Sequence, residues 1–223
     1  MGRGAWIVFG AMLPVLLIAR ASAEQVLHVD ATAAPPAAVT GYLHMGTPVS
    51  RAGHRLDINS RYLSLDGKPW LPVMGEFHFA RVPAADWDAE LSKMKAAGVS
   101  IVSTYVFWNY HEAQPGVFDW RDDRDLHHFV ELCAKHGLYV MLRIGPWAHG
   151  EVGYGGIPDW VVQAMPTRRD DATYLHYVDS FYRQIAAQLG GLWWKDNGPI
   201  VGVQIENEYN ASGPARAPST SHT

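Results

Sequence analysis

The strongest constraint on this chain is a change of rhythm. From residue 71 onward, short apolar runs over 71–77, 100–107, 138–144 and 199–205 alternate with segments of helical period over 83–97, 122–136 and 170–189. Pro83 is placed to open the first helix, and Gly98 and Gly137 close the first and second. Alternation of strand and helix is the mark of right-handed βαβ crossovers and a parallel sheet. Two α/β architectures fit it: an open doubly wound sheet and a (β/α)8 barrel. Four strands over residues 71–205 give about 34 residues per unit, whereas a whole barrel takes ~250 residues and this chain has 223. The expectation is therefore an open sheet, or an arc of barrel that stops after about the fourth unit. The alternation alone does not choose.

Before this region the pattern is different. Residues 1–23 have Arg3 near the start, an apolar run over 5–18 and the small-residue triplet Ala21-Ser22-Ala23, which reads as a secretory signal cleaved after Ala23. The apolar run is shorter than the ~20 residues that span a bilayer, so no membrane attachment is expected once the leader is removed. Residues 24–60, rich in Ala, Pro, Thr and Gly, read as an N-terminal arm or linker. Tyr62, Leu63 and Leu65 followed by Asp66-Gly67 predict a strand entering a tight hairpin. Residues 61–209 are then the folded body and 210–223 an irregular tail. The one cysteine, Cys133, lies in a helical apolar pattern and reads as a packing thiol. A net charge of −4 with no clustered basic stretch excludes a nucleic-acid partner, because phosphate binding needs such a cluster.

Each apolar run ends in polar and aromatic residues, and in parallel α/β folds that edge binds ligands. The set holds the carboxylates Glu76, Glu112, Glu151, Glu206 and Glu208 and the rings of Tyr105, Trp108, Tyr110, Trp147 and Tyr154. Flat rings with polar edges suit a sugar, and carboxylates supply the proton donor and the charge stabilisation that glycoside hydrolysis requires. The competing reading is a packed aromatic core with incidental surface acids. Glu206 and Glu208, two apart on one strand, are expected on a common face with a rise of about 6.6 Å. Side chains leaving one strand in parallel do not flank a scissile bond, so one catalytic acid is expected here and its partner on another strand. His149-Gly150-Glu151 and His111-Glu112 lack metal-ligand spacing, and no cofactor motif is present. Gly150, Gly153, Gly155 and Gly156 do not form a dinucleotide fingerprint and read as a loop that lets backbone approach a ligand.

The segment from Gly198 to Tyr209, GPIVGVQIENEY, closely resembles the signature of glycoside hydrolase family 35, the β-galactosidases. The resemblance continues upstream through GEFHFARVP from Gly75, TYVFWNYHE from Thr104, RIGPW from Arg143 and GGIPDW from Gly155, in family order and spacing. It implies a (β/α)8 barrel that hydrolyses terminal β-galactosides with retention, without a cofactor, on an oligosaccharide or a polysaccharide side chain. On the matching positions, Glu208 is implied as the general acid/base and Asn207 as the donor to the sugar 2-hydroxyl. Tyr105, Gly150 and Glu151 are implied as contacts to galactose hydroxyls, Gly150 through its backbone, and Glu206 as a supporting carboxylate. His149 and Val152 depart from the family pattern beside Glu151. The family nucleophile is a glutamate on a later strand, so this chain is expected to lack it and to be inactive alone. A non-catalytic, secreted galactoside-binding module is the alternative.

Overall fold

The computed structural model describes residues 46–209, together with 27, 32, 34–41 and 43. The signal reading of 1–23 and the tail reading of 210–223 lie outside the described residues. The chain divides into a short leading unit, Met1–Ala37, and a main unit, Ala38–Thr223. In the leading unit residues 34–37 are exposed and without regular structure. The main unit carries all the elements described below.

Its first layer is a three-stranded antiparallel sheet of β1 (Leu56–Ile58), β2 (Leu63–Leu65) and β3 (Lys68–Trp70). The hairpin between β2 and β3 turns on Asp66 and Gly67, both at positive φ, the geometry of the two-residue turn that Asp-Gly favours. Residues 24–60 are therefore not irregular to their end: Leu56–Ile58 pairs with β2, Leu56 opposite Leu65. A three-residue strand is too short to show a period, and the pairing partner that defines it lies beyond the segment.

The second layer is a parallel sheet in the order β4 (Met74–Glu76), β5 (Ile101–Tyr105), β6 (Tyr139–Gly145) and β7 (Ile200–Ile205). Helices α1 (Ala84–Ala96), α3 (Leu126–Lys135) and α5 (Ala172–Gln188) connect the strands, with short helices α2 (Trp108–His111) and α4 (Asp159–Ala164) in the crossovers. Sequential strands that pair in chain order form an arc of a (β/α)8 barrel. A doubly wound sheet reverses its strand order partway, and this one does not. Asp125 and Asp171 cap α3 and α5 by accepting from the amides of His128 and Tyr174 at 2.9 Å. Strand β4 is shorter than the apolar run suggested, because Pro72 cannot donate to a ladder and Leu71 stands in solvent.

Alternation along the strands separates two faces. Val102, Val140 and Leu142 turn toward the helices and pack with Trp87, Leu91, Phe129, Cys133 and Phe181 in the core. Burial there pushes the Cys133 thiol well above its ordinary range, which keeps it protonated and inert. The other face presents Glu76, Tyr105, Arg143 and Gln204 toward the C-terminal rim. Glu112 is not on that rim. It is 2% exposed, accepting from Trp108 Nε1 at 2.6 Å and the Gly116 amide at 2.7 Å. Trp108 is likewise core, stacked on Phe181 at 5.3 Å. Among the described residues no helix is long and apolar enough to cross a membrane.

His111, also buried, stacks on Trp120 at 3.9 Å and is 3.0 Å through Nδ1 from the Asp119 carbonyl. Burial lowers its pKa from 6.5 to about 4, against the opposing effect of that carbonyl. Between these values the unfolded chain takes up a proton that the folded chain refuses, so stability is complete above about pH 6.5 and falls as pH drops toward 4. Unfolding titrations are expected to show the parent losing roughly 3 kcal/mol more than His111→Phe between neutral pH and pH 4. Equal losses would contradict the burial argument.

Candidate active site

The rim is organised by one guanidinium. Arg143, next to last in the β6 ladder, donates from Nε to Gln204 Oε1 at 3.1 Å, from Nη1 to Glu76, and from Nη2 to Asn207 Oδ1 at 2.9 Å. Its plane lies over the Tyr105 ring with Cζ 4.0 Å from the centroid. Strands β4, β5 and β7 thus converge on one side chain of β6, each of whose three nitrogens donates to a carboxylate or amide oxygen while a ring lies against its plane.

From this anchor the chemistry of donors and acceptors fixes the next groups in turn. Gln204 accepts from Arg143 and therefore donates from Nε2, to Asn207 Oδ1 at 2.8 Å and to the Glu206 carbonyl at 2.9 Å. Asn207 Oδ1, holding two donors, leaves Nδ2 facing His149 Nδ1 at 2.7 Å. Trp147 Nε1 donates to the same nitrogen at 3.1 Å. With two donors aimed at Nδ1, neutral His149 carries its proton on Nε2, which lies 3.8 Å from the Glu208 carboxylate. One hydrogen of Asn207 Nδ2 has no hydrogen-bond partner among the described residues.

The remaining expected site residues occupy the same rim. Tyr105 is nearly buried, stacked on Phe107 at 5.3 Å with His78 edge-on at 4.8 Å, and burial raises its phenol pKa. Glu151 is 87% exposed in its side chain and 3.7 Å from Arg81. The Gly150 carbonyl accepts from Arg81 Nη2. His78 accepts from Arg81 Nη1 at 3.0 Å and faces Glu76 at 3.9 Å. Burial, helped by the Arg81 charge, lowers the His78 pKa despite Glu76. Glu208 has 73% of its side chain exposed beside His149 and Asn207.

One expectation changes. Glu206 and Glu208 do not share a strand face: β7 ends at Ile205, and both glutamates sit at positive φ, 60° and 46°. The chain turns there, sending Glu206 to Arg168, with Nη2 2.8 Å from Oε2, and Glu208 toward His149. The glycine-rich loop, expected to let backbone approach a ligand, is in addition held close to rings. A Cβ on Gly155 would lie 2.4 Å from the Trp147 ring, and one on Gly150 would lie 2.7 Å from Phe107. Arg143 was legible as a charge inside an apolar strand run, although its hub role was not. Arg168 stands in an irregular loop and carries no sequence signal.

With this geometry in place, comparison with known proteins is informative. A family model described as Glycosyl hydrolases family 35 matches residues 62–220. The chain is 37% identical over 165 residues to a β-galactosidase of Mus musculus, covering 73% of this chain and 26% of that protein. It is 40% identical over 154 residues to a β-galactosidase of Bos taurus, covering 68% of this chain and 23% of that protein. The chain thus spans about a quarter of the length of the curated relatives it matches. Among solved structures, an endo-1,4-β-mannanase from Rhizomucor miehei superposes with TM-score 0.50 at 22% identity, over 69% of this chain and 48% of that one. That likeness concerns the fold.

Long-range proton–nitrogen NMR correlations are expected to place the proton of neutral His149 on Nε2. A proton on Nδ1 would reverse the Asn207 amide and dissolve the chain of donors that begins at Arg143.

Proposed function

The chain belongs to glycosyl hydrolase family 35, and on that premise we propose that it carries the proton-donating side of a retaining β-galactosidase site. Glu208 protonates the glycosidic oxygen, and Asn207 donates its free Nδ2 hydrogen to the sugar 2-hydroxyl. Tyr105 and Glu151 meet other hydroxyls through their side chains and Gly150 through its backbone. The observation that carries the reading is the locked amide of Asn207: Arg143 and Gln204 both donate to Oδ1, so its donor end is turned toward His149, whose Nε2 lies 3.8 Å from Glu208, before any ligand arrives. Preorganised donors of this kind act without reorganisation at the moment of reaction. The β-galactosidase names of the relatives support the substrate class.

Retention needs two carboxyl groups ~5 to 5.5 Å apart, one donating and one attacking. Among the described residues, each other rim carboxylate is paired with an arginine: Glu76 with Arg143, Glu151 with Arg81, Glu206 with Arg168. By the family resemblance the attacking glutamate stands on a strand later than β7, and we propose that the described residues by themselves hydrolyse no galactoside. The apolar leader at residues 1–23 supports export, with the substrate a galactoside encountered outside the cytoplasm.

Methyl β-galactoside is expected to shift the NMR signals of Asn207, Glu151 and Tyr105, while nitrophenyl β-galactoside is left intact. Asn207→Ala should weaken binding about tenfold, the worth of one hydrogen bond. An equal response to methyl β-mannoside would remove the galactoside assignment. Nitrophenol release that persists in Glu208→Gln would remove Glu208 from its role. Galactoside binding undiminished in both variants would favour a binding module.

A further inference from the structure

Strain at the rim points to a residue that neither the motifs nor the resemblance singled out. Nine non-glycine residues among those described sit at positive φ, and six of them, His149, Glu151, Tyr154, Arg168, Glu206 and Glu208, belong to the loops of this rim. A side chain in the left-handed region costs roughly 1 to 2 kcal/mol, and such residues persist only where their surroundings over-determine them. Glu206 is held by the Gly145 carbonyl and the Gln204 amide, and Glu208 lies beside His149, but one guanidinium reaches both residues. Arg168 donates from Nε and Nη2 to Glu206 Oε2 at 3.1 and 2.8 Å. Nη2 also reaches the carbonyl of Asn207 at 3.0 Å and, more weakly, that of Glu208 at 3.4 Å. The guanidinium faces the rings of Trp147 at 4.6 Å and Tyr209 at 5.4 Å. The Tyr209 hydroxyl returns a bond to the Arg168 carbonyl at 3.1 Å.

We infer that Arg168 is the positioning residue of the Glu206–Tyr209 turn, holding the backbone of Asn207 and Glu208 and so setting the direction of the Glu208 carboxyl, without touching substrate. The inference deepens the proposed function and rests on it for its consequence in sugar binding. Its physical basis is separate. A fork of donors is needed because the turn presents a carboxylate and two carbonyls in different directions, and a plane is needed because rings lie against it. Lysine offers neither.

The test compares the full chain with Arg168→Ala and Arg168→Lys. Both variants are expected to exchange the amide hydrogens of Glu206 and Asn207, which are bonded to the Gly145 carbonyl and the Glu206 carboxylate, at least about tenfold faster than the parent, with protection in β5 and β6 unchanged. Both should bind methyl β-galactoside about tenfold more weakly. If Arg168→Lys keeps the parent's protection and affinity, or if exchange quickens equally throughout the sheet, the positioning role is overturned. If the parent binds no galactoside, the functional reading fails, while the exchange comparison still decides the role of Arg168. Should Arg168→Ala not fold, Arg168→Lys, which keeps the charge, decides it.

Discussion

A charged group in the open face of a parallel sheet is tolerable only with partners, and Arg143 on β6 finds them on the three other strands. Glu76 from β4, the Tyr105 ring from β5 and Gln204 from β7 meet the guanidinium on β6, and Asn207 joins from the turn beyond. Leaving any donor unmet would carry the desolvation penalty of an unsatisfied charged group. The same demand that fixes the arginine also fixes the order of amides behind it, because an acceptor that is already occupied turns its donor end outward. Position at the rim is therefore inherited from the middle of the sheet.

A second guanidinium does related work on the far side of the turn. Arg143 holds Asn207 by its side chain, whereas Arg168 holds the neighbouring backbone and the Glu206 carboxylate. Between them the chain crosses from regular strand into two left-handed residues. Local conformational preference opposes that path, and electrostatics together with ring contacts impose it. The glycines nearby solve a related problem by a different means, since Trp147 and Phe107 press against the positions where side chains would stand. Rings and glycines together keep the loop after β6 close to the sheet, where His149 faces the turn after β7 and Glu151 faces Arg81.

Much of this was legible in the residues. The β/α rhythm and the Asp-Gly hairpin placed β2, β4 to β7 and the three long helices to within a few residues, because their periods and end signals are local. Helices α2 and α4 were not legible, being only four and six residues long, too short to complete a period. The set of rim carboxylates was right in kind and wrong in membership. Glu112 reads like its neighbours along the chain, yet it turns inward to the Trp108 indole.

What the amino-acid order determined by itself was the parallel α/β plan and the family, since strand ends rich in Glu, Asn, Tyr and Trp repeat at spacings that a βα unit imposes. It could not determine the directions of Glu206 and Glu208. A strand extended by three more residues would have aligned them, and nothing near them in the chain forbids it. That choice was made by Arg168, 38 residues away, together with Gly145, whose carbonyl accepts the Glu206 amide as the ladder with β7 ends. Direction at the rim depends on long-range partners, and such partners exist only once the sheet has brought them together.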